Sequence, residues 1–298
     1  MFPKSVLRPV VNWVREKIRE NSPNLETYSQ QVQRNIVNQY IAARAAGLAL
    51  YPRISDSGFR ACSQFEEDGI ILYVLSMIGF NTRRVVEMSC GDGRECMATN
   101  LILNHGFYGY LFEANVQSAD QARRFFASNK DCFLRQPSIT TAWITAENVN
   151  QLLRDSGAEG DVDLLSLDID GNDYWVLRAI EATQPRLIVA ETRNVMPSDL
   201  SVTIPYKPDF DYIAQPEGVR DFHGVSLLAM TKLCRARGYR LIGAHRLGFN
   251  AFFLKNGEGE RFFPEVSVEA CHDNQYTRER RKGWPTVKDM PWVDPTPR

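Results

Sequence analysis

None of the six cysteines (Cys62, Cys90, Cys96, Cys132, Cys234 and Cys271) forms a Cys-x-x-Cys pair or stands at zinc-ribbon spacing from a histidine. Nothing here reads as a disulfide framework or a structural zinc. Six scattered thiols in a chain of 298 residues read instead as reduced cysteines of a cytoplasmic protein. Basic charge in excess is also missing: 35 Lys plus Arg face 36 Asp plus Glu, a formal charge of −1. That balance speaks against non-specific nucleic-acid binding. The longest apolar run, 69–80, is too short to span a bilayer. At the start of the chain Lys4, Arg8, Arg15 and Lys17 interrupt the apolar residues and no small-residue cleavage site follows, so no signal peptide is expected. There is no internal repeat and no low-complexity segment. What remains is 44% hydrophobic and 24% charged, ordinary usage for a globular protein with a substantial core.

Three zones follow from periodicity. Residues 1–59 read as an N-terminal helical appendage, with Val6, Val10, Val14 and Ile18 on one stripe, a break at Pro23, and a second stripe through Val32, Ile36, Tyr40 and Ala43. Such helices are expected to pack on their own domain or on a second subunit, which would make a homo-oligomer. A membrane-surface role is less suited, because Glu16 and Glu20 dilute the basic face. Residues 60–256 alternate strands at 84–88, 109–113, 131–135, 164–169, 187–191, 239–244 and 251–254 with helices at 66–78, 95–104, 147–154, 174–182 and 226–237. This predicts an α/β class: a doubly wound, Rossmann-like, mainly parallel sheet with an antiparallel terminal strand. Residues 257–298, charged and rich in proline, read as a wrapping tail.

The strongest signal is Val85-Val86-Glu87-Met88-Ser89-Cys90-Gly91-Asp92-Gly93-Arg94-Glu95-Cys96. An apolar strand ends in an acid, and a turn with two glycines opens a helix. Gly91 and Gly93 permit close approach of a ligand to the backbone. Further on, Tyr110-Leu111-Phe112 ends in Glu113, placed to accept both hydroxyls of a ribose. A dinucleotide would want a third glycine where Cys96 stands, and Glu87 would repel its pyrophosphate. S-adenosylmethionine has no phosphate and carries a cationic sulfonium and an α-amino group, so it suits the turn better.

Glu87-Met88-Ser89-Cys90-Gly91-Asp92-Gly93 resembles the acid-x-Gly-x-Gly-x-Gly motif of class I methyltransferases, with Ser89 in place of the first glycine. Within that class the chain is most similar to the FkbM-like group. The likeness is carried by Ser63-Gln64-Phe65-Glu66-Glu67-Asp68-Gly69, by the stretch from Asp163 to Asp173, and by that from Pro185 to Asn194. It covers roughly Ser63 to Leu254, and Ser166 and Asp170 stand where the group usually has Lys and Glu. The resemblance implies S-adenosylmethionine-dependent transfer of a methyl group to a hydroxyl of a sugar or natural-product small molecule. Glu87, Ser89, Gly91, Gly93, Glu113 and Asp168 would hold the cofactor. Because a fold does not fix a reaction, two alternatives stay open: different chemistry on the same scaffold, and a non-catalytic binding or scaffold role.

Two groups could activate the acceptor. Asp168, Asp170, Glu191 and Asn194 cluster at the ends of successive strands and could hold Mg²⁺, which would acidify a hydroxyl. Alternatively Asp170 and Asp173 cap the helix that follows. His223, in the loop before residue 226, could take the hydroxyl proton with Asp168 beside the cofactor or acceptor, or could be a surface histidine. Trp143, Trp175, Phe252 and Phe253 are expected in the core. The loop 196–220 is expected to shape the acceptor pocket.

Overall fold

The computed structural model describes residues 25–295. Two compact units divide the chain, Met1–Gln39 and Tyr40–Arg298. Helix α1, Leu25–Ala46, supplies the described part of the first. The expected stripe of Val6, Val10, Val14 and Ile18 lies outside the described residues. In the second unit Tyr40 packs edge-on against Tyr73 at 4.9 Å between ring centroids, and Tyr51 meets Tyr73 at 5.0 Å.

The rest of the second unit is a seven-stranded sheet with helices. Its elements run α2 Glu67–Ile78, β1 Arg84–Met88, α3 Met97–His105, β2 Tyr108–Glu113, α4 Val116–Ala127, β3 Ser138–Thr141, α5 Val149–Ser156, β4 Gly160–Leu167, α6 Asp173–Ala179, β5 Thr183–Glu191, α7 Leu227–Ala236, β6 Tyr239–Ala244 and β7 Asn250–Lys255. The strand order is β3-β2-β1-β4-β5-β7-β6. Strands β1 to β5 are parallel and β7 pairs antiparallel with both β5 and β6. This is the expected α/β Rossmann-like sheet. The central strands read as near-continuous apolar runs because helices cover both faces; Val86, Leu165, Leu167 and Ile188 are fully buried in the main core with residues of α5, α6 and α7. No helix among the described residues is long and apolar enough to cross a membrane.

One strand expectation fails. Residues 131–135 do not pair: Lys130–Cys132 is a 3₁₀ turn, opened by the Asn129 side chain accepting from the Asp131 N–H. Phe133 and Leu134 then face solvent, Leu134 with 95% of its surface exposed. The third strand is instead Ser138–Thr141, a β-branched run that pairs parallel with β2. The helix α4 between them was not anticipated.

After β7 the chain forms α8 Val268–His272, α9 Gln275–Arg280 and α10 Trp284–Val287. Thr203, in the long loop after β5, bridges to Val225 and to Val293. Ile204, Phe222 and Val287 form a second small core there, with Phe210, Trp284 and Trp292 against it. The loop and the tail thus pack on one another.

At the opposite edge of the sheet Asp163 of β4 is fully buried. Its carboxylate accepts from the backbone N–H groups of Asn81, Thr82 and Arg83 and from the Arg186 guanidinium, at 2.8–3.2 Å. Arg186 also pairs with Glu258 at 2.8 Å. Removing one partner from such a buried network leaves an uncompensated charge. Asp163→Ala is therefore expected to lower the unfolding free energy by about 3–5 kcal/mol, read as the shift of the urea midpoint; a loss below about 1 kcal/mol would show that the network does not anchor the sheet.

Candidate functional site

The strand order reverses between β1 and β4, and in a doubly wound sheet the crevice beyond the strands' C-terminal ends at such a point collects ligands. Ser89 and Gly91 leave β1 there, with Glu113 ending β2, Asp168 following β4 and Glu191 ending β5. Three non-glycine residues among those described have positive φ, and two of them stand at this edge: Ser89 at +74° and Asp170 at +56°. Left-handed backbone at non-glycine residues concentrates where a turn is over-determined by its surroundings.

Glu113 binds the glycine turn before any ligand arrives. One carboxylate oxygen accepts from the Gly91 N–H at 2.8 Å and the other from the Asn115 N–H at 2.8 Å. A carboxylate has about four acceptor positions, so about two remain for hydroxyls. Gly93 sits at φ +78° with no room for a methyl group: a Cβ would stand 2.8 Å from the Phe126 ring. Gly91 is the converse: at φ +56° a Cβ would meet no protein atom within 4 Å. The space beside Gly91 is open, which is the cradle a bound cofactor would fill.

Glu87 is placed differently. The helix α3 begins at Cys96 with no side-chain cap, and Glu87 serves instead, accepting from the Met97 and Ala98 N–H groups at 3.2 and 3.0 Å. The positive end of the helix favours a carboxylate there. Burial nonetheless pushes its pKa up to about 8. Asp173 also serves the backbone, accepting from the Ile169 and Gly171 N–H groups at 2.9 Å each. It shapes the turn that carries Asp170.

Two cavities open at this edge. The first, of about 400 Å³, is lined by Ser89, Glu113, Asn115, Trp143, Asp170 and residues Phe210 to Ile213 among others. Trp143, expected in the core, is 48% exposed and forms its wall. Its indole N–H donates to the Pro208 carbonyl at 2.7 Å, tying it to the long loop. The second cavity, of about 460 Å³, is lined by Asp168, Asp170, Glu191, Arg193, Asn194, Phe65, Tyr212, Phe249 and, from α9, Tyr276 and Arg280. Asp170 and Tyr212 line both.

The acids predicted to cluster do so. Burial, and then the charge of Glu191, raise Asp168 well above the carboxylate range. Burial raises Glu191 to about 8, with Arg193 opposing it. Arg193 stands 3.4 Å from Glu191 and spends its other arm on Asp221 at 3.0 Å, which also holds Arg280 at 2.6 Å. Asn194 is buried, and its amide N–H donates to the Leu247 carbonyl at 2.7 Å. His223 is not a surface histidine: it is buried, and burial followed by Arg193 presses its pKa down to about 3. Nothing local in the sequence marked Tyr276 and Arg280 as part of this wall.

No family model matches the chain, and no curated protein matches it. Solved structures do. The magnesium protoporphyrin IX methyltransferase of Synechocystis PCC 6803, with bound S-adenosylmethionine, is 11% identical; the match covers 64% of this chain and 78% of that one, with a TM-score of 0.40. The O-methyltransferase of Bacillus cereus, in complex with S-adenosylhomocysteine, is 15% identical over 73% of this chain and 88% of that one, with a TM-score of 0.40.

The shifted acids set a pH dependence. An unfolded histidine is half charged at about pH 6.5 and largely neutral above about 7.5. Glu87 and Glu191, at about 8 against an ordinary 4.5, keep protons in the folded state that the unfolded chain has lost. The stability they contribute is complete below pH 4.5 and is lost as pH rises toward 8. Below pH 6.5, His223 at about 3 and His272 at about 4 act the other way, since they stay neutral when folded and charge when unfolded. Thermal melts should therefore show the midpoint falling from pH 6.5 to 8, with a flatter slope in Glu191→Gln; an unchanged slope in that variant would remove Glu191 as a source.

Proposed function

We propose that this chain transfers a methyl group from S-adenosylmethionine to a hydroxyl of a sugar or natural-product small molecule. The observation that carries this reading is the pair of cavities sharing Asp170 and Tyr212, one bounded by the glycine-turn acid and the other by a carboxylate cluster. S-adenosylmethionine, when bound, supplies a methyl group on a cationic sulfur. Glu113 would hold the ribose hydroxyls with its remaining lone pairs, and Gly91 would leave room for the ligand. Ser89, Gly93 and Glu87 would keep the turn in shape, Glu87 through the helix it caps.

The second cavity suits a ring-shaped, hydroxyl-bearing acceptor. Its aromatic walls, Phe65, Tyr212, Phe249 and Tyr276, offer faces for a ring, and its acids accept hydrogen bonds. An alkyl hydroxyl is a poor nucleophile at neutral pH and needs positioning and a proton acceptor. Asp168 fits that role by its place just after β4 on the wall of this cavity, where burial raises its pKa and so its proton affinity. His223, at about 3, takes up a proton weakly.

Titration calorimetry with S-adenosylhomocysteine tests the cofactor half. Binding heat is expected, and Glu113→Ala should weaken it by about 1–3 kcal/mol, the scale of hydrogen bonds to a charged acceptor. Gly91→Ala should fold, losing only the roughly 1–2 kcal/mol of a left-handed residue, yet bind poorly because its methyl group enters the open space. Absence of both heat and thermal shift in the native chain would reject the reading. Transfer of labelled methyl to a panel of sugar and polyketide hydroxyls tests the other half. Binding without turnover on that panel would point to a binding role instead.

A further inference from the structure

A ring nitrogen of His223 and one carboxylate oxygen each from Asp170 and Glu191 all lie within 4.8 Å of one another. Among the described residues this is the one cluster of three such side chains at that spacing. Donors on opposite sides of a cation at about 2.2 Å stand about 4.4 Å apart, so closing on an ion needs only small side-chain adjustment. His223 is 5% exposed. Its Nδ1 lies 2.5 Å from the Arg220 carbonyl oxygen. A carbonyl can only accept, so Nδ1 carries the proton and Nε2 keeps its lone pair. Nε2 has no hydrogen-bond partner among the described residues, and Asp170 carries no side-chain hydrogen bond there either. Anchoring one ring nitrogen on a carbonyl while the other stays free is how a metal-binding imidazole is oriented.

We propose that Asp170, Glu191 and His223 bind a divalent first-row transition ion such as Mn²⁺ at the floor of the acceptor cavity. The ligand set differs from the one expected around Mg²⁺. His223 enters from the loop before α7, and Asp168 is not among the three donors that lie within 4.8 Å of one another. The imidazole decides the class of ion: Mg²⁺ takes oxygen ligands and keeps its waters, whereas a nitrogen with two carboxylates suits Mn²⁺, Fe²⁺ or Zn²⁺. The charges around the cluster agree. Asp168, Asp170 and Glu191 share their cavity with two guanidiniums, Arg193 and Arg280, and Asp221 pairs with both, so the acids stay in excess. The Tyr212 ring covers the His223 ring at 5.1 Å between centroids. Any part the ion plays in acidifying an acceptor hydroxyl rests on the methyl-transfer reading; the binding itself does not.

Electron paramagnetic resonance of the full chain titrated with Mn²⁺, without S-adenosylmethionine, reads the site directly, because bound Mn²⁺ loses the sharp signal of the free ion. One ion per chain is expected, with an equal concentration of Mg²⁺ failing to displace it. His223→Ala should weaken Mn²⁺ binding by about 10-fold or more, and Glu191→Gln serves as a second variant should the first not fold by circular dichroism. A full free-ion signal throughout overturns the proposal. So does unchanged affinity in a folded variant, and displacement by equal Mg²⁺ overturns the assignment to a transition ion. Failure of the methyl-transfer reading appears separately, in the calorimetry with S-adenosylhomocysteine for cofactor binding and in the labelled-methyl panel for turnover.

Discussion

The buried carboxylate of Asp163 fixes the level from which the sheet's central strands start. It gathers three backbone N–H groups from the turn before β1 and the guanidinium of Arg186 from β5. Burying a charge is costly unless its lone pairs are met, and here they are met by donors from two separate segments. The register follows: Val85 pairs with Leu164, and Leu164 with Leu187. Parallel strands locked at one end emerge level at the other. That is why Ser89, Asp168 and Glu191, far apart in sequence, arrive at one edge.

The buried acids around the sheet fall into two kinds. Asp163 and Asp173 each accept from at least two backbone N–H groups, and Glu87 meets the start of α3 with both oxygens. These carboxylates hold the backbone. Asp168, Asp170 and Glu191 are also largely withdrawn from water, yet of the two arginines in their cavity only Arg193 pairs with one of them. Burial raises the pKa values of all three, and neighbouring carboxylates push Asp168 and Glu191 further in the same direction. Such an arrangement costs stability and is retained at sites that act on ligands. Residue type alone does not separate the two kinds of acid; the count of donors around each one does.

Much of the fold was legible because its signals are local. Apolar runs of four to nine residues, a glycine turn and an acid at the next strand end all lie within short windows, and they placed β1, β2, β4 to β7 and most helices near their bounds. The third strand was missed for a local reason as well. Cys132-Phe133-Leu134 carries the apolar composition of a strand, but Asn129 closes a turn ahead of it, and the short β-branched run after Pro137 does the pairing. The glycine turn and Glu113 were legible as two parts of one site, but the hydrogen bond from the Gly91 N–H that joins them was not. Ser89, standing where the resembling motif has its first glycine, takes a left-handed φ. What was not legible is non-local: the burial of His223, the wall formed by Trp143, and the approach of Tyr276 and Arg280. Each depends on the loop after β5 and the tail, segments that show neither a helical nor a strand period.

Those aperiodic segments are where acceptor choice would be made. The loop supplies Phe210, Tyr212 and Arg193, and the tail supplies Tyr276 and Arg280. Neither segment has a core of its own; Ile204 and Phe222 from one and Val287 from the other complete it together. Asp221 then bridges Arg193 and Arg280, so the tail is tied by charge to the residue that faces Glu191. Gly171 shows how closely this wall is fitted, since a Cβ there would lie 2.5 Å from the Phe210 ring. A change in the tail therefore acts on the carboxylate cluster through three salt bridges, with no change in the sheet. The rigid sheet sets where the reacting groups stand, and the loop and tail set what can reach them. Acceptor specificity could thus shift through these segments while Glu113 and the glycine turn stay as they are.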